Sequence, residues 1–397
     1  MVEFNKKVLK NGLTVLHEKR DVPVTTVMLA TKFGAAYESV EEKGIAHFIE
    51  HLCFKGTEKR TVKEIATEVE GVGGELNAFT HEEITAYHVK LPSEHLRVAT
   101  DVIFDIFFNA AFPESEVEKE ANVICEEIKM YRDNPRAHVL DNIKRCLYED
   151  PFGIFIGGSE KTVKGMTRDQ LMKKHREVYV PGNSIMCVVG NNSFEEVLEL
   201  AEEFAVDGDG KIAKVEKIIP KISKESETRS DLHQANLALG FHFPVSSDNE
   251  RYAAEIFSSV LGSGMSSRLF SEVREKRGLV YGVKSELDLG ENYGYMIIWA
   301  GTDKEKVGEV IDISLKEFHG MKNLTEEELA AAKVRVIGDR AVESEGSNET
   351  AVNLILEEAS GNAEDYYDYS KKIEKVSLKD IKALAAKTEY SSFVLSQ

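Results

Sequence analysis

The sequence predicts an α+β chain built from two similar domains, each a mainly antiparallel sheet covered by helices. Three observations carry this expectation. Strand-length stretches rich in β-branched residues alternate with longer stretches of helical period. A polar segment bearing glycine and proline interrupts the chain midway, and the order of elements after it echoes the order before it. At 397 residues the chain is long enough for two domains, each burying its own core.

Taken in order, "LTVLHE" and "TTVMLATKFGA" read as strands at the start of the first half, and helical patterns follow up to the strand "SIMCVVG" near residue 190. Residues 205–228, "AVDGDGKIAKVEKIIPKISKESET", combine glycines, a proline and charges, the composition of a connection between domains. The second half then runs strand ("NLALGFHF"), helix ("NERYAAEIFSSVL"), glycine-containing turn, helix ("SSRLFSEVREK") and strands ("LVYGV", "GYMIIWAG"). Long helices and a last strand ("SSFVLS") complete it. The expected division is therefore a first domain over 1–208, a linker over 209–228 and a second domain over 229–397.

Composition removes several classes of function. With 50 Lys+Arg against 69 Asp+Glu the formal net charge is -19, which repels a phosphate backbone and makes nucleic acid an unfavourable partner. Cys53, Cys125, Cys146 and Cys187 form no CxxC pair, which fits reduced thiols packed as small hydrophobes in a cytosolic compartment. The N-terminal stretch "MVEFNKKVLKNGLTVL" lacks a signal-peptide core, and no apolar run reaches spanning length. A soluble, cytoplasmic protein with no membrane partner is expected. The glycine run "LGSGMSSRLF" has neither the lysine of a P-loop nor G-x-G-x-x-G spacing, so it reads as a turn before a helix.

The segment "GIAHFIEHLCFKGTEKR", residues 44–60, is the most informative. At 100° per residue Ile45, Phe48, Ile49 and Leu52 form one stripe, and His47, Glu50 and His51 gather on the opposite face. A solvated polar face is the ordinary reading of any one of these residues. Together they fit a metal site better, because imidazoles at i and i+4 can converge on one Zn²⁺ and leave the glutamate beside it as a base. HxxEH is the inverse of the better-known HExxH order.

A catalytic zinc needs a third protein ligand and an open position. The acidic stretch "PESEVEKEANVICEEIKMYRDNP", residues 113–135, can supply one. Val117, Ala121, Ile124, Ile128 and Tyr131 make its apolar stripe, Glu120 and Glu127 lie on the near flank, and Glu126 points to water. His81 and His88 have no partner at ligand spacing and read as surface or packed residues.

On these residues the sequence resembles the pitrilysin/insulinase family of zinc peptidases, the inverzincins, and within it the short branch that includes mitochondrial processing peptidase subunits. "HFIEHLCFKGT" resembles the family's zinc helix, and Glu127 stands 76 positions after His51, the family's spacing to its third ligand. The resemblance implies one zinc per chain on His47, His51 and Glu127, with Glu50 as general base and Glu120 as the supporting acid. "GGELNAFTHEEITAYHVKLP" resembles the family's substrate edge strand, which implies peptide binding along Asn77, Ala78, Phe79 and Thr80 through main-chain hydrogen bonds. "SSRLFSEVREKRGLVYGV" resembles the second-domain segment whose arginine and tyrosine, here Arg274 and Tyr281, reach the substrate and the tetrahedral oxyanion. Without the resemblance, Asn77–Thr80 would read as an internal strand, Arg274 as a solvated helix residue and Tyr281 as a packed strand residue.

Longer family members carry four such domains, and this chain has two, with HxxEH only in the first. A zinc domain that faces a different domain across a chamber would then borrow that wall from a second subunit. The resemblance thus implies a homodimer with Arg274 and Tyr281 acting in trans; a heterodimer is the other arrangement. The expected activity is zinc-dependent hydrolysis of peptides or unfolded segments. The alternative is a non-catalytic peptide-binding or scaffold subunit of a processing-peptidase-like complex.

Overall fold

The computed structural model describes residues 2–204, 206–208 and 214–397, and its strands fall into two sheets. The first half contributes β1 (Glu3–Val8), β2 (Thr14–Lys19), β3 (Val24–Thr31), β4 (Glu75–Thr80), β5 (Thr85–Pro92) and β6 (Ser184–Gly190). The second contributes β7 (Lys224–Thr228), β8 (Ala235–His242), β9 (Val280–Leu289), β10 (Gly294–Thr302) and β11 (Ser391–Ser396). The expected linker starts at 209; its residues 209–213 lie outside the described residues, and its last five form β7.

The two sheets repeat one topology. The first runs β1-β2-β6-β3-β5-β4 and the second β7-β11-β8-β10-β9. Setting β1 aside, β2 to β6 occupy the same order as β7 to β11. The strand directions repeat as well, since β2–β6 and β7–β11 are the parallel pairs and every other neighbouring pair is antiparallel. The expected α+β repeat of two similar, mainly antiparallel domains is therefore present in the fold.

Burial explains why helices from distant parts of the chain complete each sheet. Every residue of β6 is buried, as are seven of the eight in β3, so both faces of these strands must be covered. The compact unit that holds the first sheet comprises Met1–Ile128, Phe155–Glu216 and Glu343–Tyr366. Within it, helix Leu96–Phe108 packs on β3 and β5, and helix Ser347–Ser360 lies against β3 and β6. The latter is fixed by polar contacts: Thr26 on β3 bonds Ser347 Oγ and Asn348 Oδ1, each at 2.8 Å, and Arg20 Nη2 donates to Thr350 Oγ1 at 2.8 Å.

The second unit comprises Lys129–Ile154, Lys217–Val342 and Tyr367–Gln397. Helix Pro135–Leu147 covers β8 and β11 in it, and helix Arg251–Gly262 packs on β9. Arg136 on the first of these helices sits 4.5 Å from the Trp299 ring centroid on β10. Membership of the units thus departs from sequence order at helices Pro135–Leu147 and Ser347–Ser360. All four cysteines are buried, and no described helix is long and apolar enough to cross a membrane.

Candidate metal centre and peptide-binding edge

Helix Ile45–Cys53 carries the HxxEH residues. Ile45, Phe48, Ile49 and Leu52 are fully enclosed in the first core, while His47, Glu50 and His51 stay half-buried on the other side. An isolated helix of nine residues is marginal in water. Burial of Phe48, Ile49 and Leu52 at ~1.5–3 kcal/mol each holds it in place.

The acidic helix, Glu114–Asp133, follows the expected geometry over most of its length. Val117 and Ile124 are buried, Glu120 faces inward and Glu126 is exposed. Tyr131 departs from the expected stripe and is 43% exposed.

Three side-chain atoms converge. His47 Nε2 lies 3.3 Å from His51 Nε2, and Glu127 Oε2 lies 3.4 Å from His51 Nε2 and 3.7 Å from His47 Nε2. Ligand atoms around a tetrahedral zinc with bonds of about 2.0–2.1 Å stand about 3.3–3.4 Å from one another. Two imidazoles and one carboxylate at these separations fit that ion. They are the one such group of His, Cys, Asp and Glu among the described residues.

The surrounding groups prepare the imidazoles. Glu120 Oε2 lies 3.1 Å from His51 Nδ1, and its other oxygen accepts from Lys55 Nζ at 2.7 Å. A proton on Nδ1 leaves the Nε2 lone pair facing the site, as in carboxylate–histidine–metal arrangements. Burial lowers the His51 pKa, but the hydrogen bond to Glu120 and the charges of Glu127 and Glu50 outweigh it and leave the net shift upward. Burial brings His47 down to about 4, with His51 adding to the shift, so His47 is neutral at physiological pH. Glu120 itself is held below its ordinary value: burial opposes ionisation, and the hydrogen bonds from His51 and Lys55 overcome it.

Glu50 stands outside the converging trio. Its Oε2 accepts from Thr80 Oγ1 at 2.5 Å, and burial raises its pKa against the pull of that hydrogen bond. A carboxylate poised in this way is suited to take and return a proton. Thr80 ends β4, which pairs only with β5 and so forms the edge of its sheet. The reading of Asn77–Thr80 as an internal strand gives way to an edge strand, with Asn77 Oδ1 accepting from the Ala78 N–H at 2.8 Å. The link from Thr80 to Glu50, like that from Lys55 to Glu120, joins residues on different elements and has no periodic signal in the sequence.

Arg274 and Tyr281 belong to the second unit. Arg274 lies in a π-helical turn, Phe270–Glu275, within the segment expected to be an ordinary helix. Its guanidinium lies 4.7 Å from the Phe270 ring centroid and 5.8 Å from that of Tyr281. Tyr281 is 82% exposed on β9, an edge strand, which replaces the reading of a packed strand residue. The structure thus gathers His47, Glu50, His51, Thr80, Glu120 and Glu127 within the first unit and pairs Arg274 with Tyr281 within the second.

Comparison with known proteins gives a consistent picture. Residues 13–156 match the family model described as Insulinase (Peptidase family M16), and residues 165–335 match that of the Peptidase M16 inactive domain. An uncharacterized zinc protease of Rickettsia felis is 36% identical over 340 residues, covering 84% of this chain and 82% of its own. The uncharacterized zinc protease YmxG of Bacillus subtilis is 35% identical over 346 residues, covering 86% and 82%. The crystal structure of a protease from Helicobacter pylori superposes with a TM-score of 0.92 over 100% of both chains at 23% identity, a likeness of fold.

Proposed function

The chain belongs to peptidase family M16, the insulinase family, and from that premise we propose that it is a zinc-dependent endopeptidase acting on peptides or unfolded segments. The observation that carries this reading is the convergence of His47 Nε2, His51 Nε2 and Glu127 Oε2 beside the carboxyl of Glu50. A zinc ion held by those three residues would lower the pKa of its water to about 7 and polarise the scissile carbonyl. Glu50 takes the proton from the attacking water and delivers it to the leaving amine. Glu120 keeps His51 in its ligating tautomer. The open edge of β4 binds the peptide as an added strand through its main chain, which makes recognition tolerant of sequence.

The test is hydrolysis of a quenched fluorescent peptide library with and without a chelator, alongside zinc content. About one zinc per chain and cleavage lost to the chelator and regained with zinc are expected; metal-independent cleavage, or none from folded zinc-bearing protein either alone or with an added partner chain, would sink the reading.

Thr80 holds the base through a hydrogen bond to a charged group, worth ~1.5–3 kcal/mol. Thr80→Val is therefore expected to lower kcat about tenfold or more, with KM and zinc content near wild type. Full kcat in that variant would deny Thr80 this role.

The oxyanion is stabilised by Arg274 and Tyr281 of a second copy, which makes the active form a homodimer with a chamber between subunits. Mixing Glu50→Gln with Tyr281→Phe should restore part of the activity through mixed dimers. Absence of rescue after verified subunit exchange would count against the trans arrangement, and activity only with an added different chain would favour a heterodimer.

A further inference from the structure

The two histidines of the metal helix are anchored differently. His51 is held through its Nδ1 by Glu120. The Nδ1 of His47 is buried with no hydrogen-bond partner among the described residues. The place of His47 is therefore set by packing and by the backbone of the helix's first turn.

That turn has no side chain of its own to cap it. Gly44 occupies the cap position with φ +96°, and a Cβ there would come within 2.7 Å of the Gly157 carbonyl oxygen, so glycine is required by both conformation and space. The amides left open at a helix start need acceptors. Glu38 supplies them from a distance: its Oε2 accepts from the Gly44 N–H at 3.1 Å and its Oε1 from the Ala46 N–H at 2.8 Å. Ala46 immediately precedes His47.

Glu38 and Lys43 both have side-chain exposures of 0%, with Lys43 Nζ 3.5 Å from Glu38 Oε2 and donating to the Ala35 carbonyl at 2.7 Å. The same loop is tied to the turn that follows β4, since Ala35 N–H donates to His81 O at 3.1 Å and Ala36 N–H to Glu82 O at 2.8 Å. A Cβ on Gly34 would lie 2.2 Å from His81 O, so the loop rests directly on that turn. One buried corner thus joins the start of the metal helix to the end of the peptide-binding edge.

We propose that Glu38 is a positioning residue for metal binding: by capping the first turn of helix Ile45–Cys53 it fixes His47 as a ligand and sets its register against β4. This rests on the reading of His47, His51 and Glu127 as zinc ligands. Positioning and stability can be separated here. Replacing a buried ion pair by apolar residues of similar volume is often neutral or stabilising, whereas removing one partner alone is not.

The experiment compares zinc affinity, by competition with a chromophoric chelator, and thermal unfolding of the metal-free protein for wild type and two double variants. Glu38→Leu/Lys43→Met removes both charges and both acceptors; Glu38→Gln/Lys43→Met removes the charges and retains one acceptor. The first leaves the Gly44 and Ala46 N–H groups without Glu38 and is expected to unfold at a lower temperature than wild type; while folded it should hold zinc about 10–100-fold more weakly, the range seen when groups supporting a ligand are lost. The second should recover most of that loss. Equal affinity in all three would overturn the inference. Should the leucine variant fail to fold, Glu38→Asp keeps the charge opposite Lys43 and withdraws the acceptors by one methylene. The same weakening is then expected, and wild-type affinity would overturn the inference. A wild type that binds no zinc would remove the metal reading and this inference with it, whereas equal affinities remove this inference alone.

Discussion

Glu50→Gln is expected to abolish hydrolysis while leaving zinc in place. The side chain takes no part in the converging trio; its nearest polar partner is Thr80 Oγ1 at 2.5 Å. The amide is almost the same size as the carboxyl and can still accept from Thr80, so neither fold nor metal site is disturbed. What it cannot do is accept a proton from water. General acid–base catalysis contributes ~10²–10⁴-fold, and here one group serves both proton transfers, so the loss is expected near the upper end of that range. The check is kcat/KM on a quenched fluorescent peptide together with zinc per chain by mass spectrometry. Turnover close to wild type at full zinc occupancy would remove Glu50 as the base.

The second large effect is expected at Glu127. Glu127→Gln replaces an anionic oxygen donor by a neutral amide and leaves two imidazoles, too few for a stable catalytic zinc. Zinc should fall from about one per chain to well below that under a metal buffer, and activity with it. The glutamate side chain is 34% exposed, so unfolding should shift by no more than the roughly 0.5 kcal/mol typical of surface sites. Glu126→Gln is the internal control: that residue is exposed on the next position of the same helix and should change neither zinc nor rate. Equal zinc retention in the two variants would exclude Glu127 as the third ligand.

Much of the candidate centre is legible in the sequence alone. The 100° period that places Phe48, Ile49 and Leu52 on one face also places His47, Glu50 and His51 on the other, because both faces belong to one rigid helix. The flank position of Glu127 and the outward direction of Glu126 follow from the same arithmetic on the acidic helix. It stops working at Tyr131, near the end of that helix, where 43% of the side chain is exposed. Periodicity describes a face and does not say how far along the helix something covers it.

The chain's own sequence determined the alternation of strands and helices and the metal-ligating residue types, because these depend on neighbours within about two turns, and the repeat followed from the order of elements in the two halves. Only the tertiary structure decided that Thr80 holds Glu50, that Lys55 holds Glu120, and that Glu38 caps the turn before His47. It also decided that helix Pro135–Leu147 covers the sheet formed by β7 to β11, and that helix Ser347–Ser360 covers the one formed by β1 to β6. Strands buried on both faces need cover from wherever the chain can bring it, and buried carboxylates and amides need partners at hydrogen-bond distance. Both demands are met between residues far apart in sequence, where no local period can point to them.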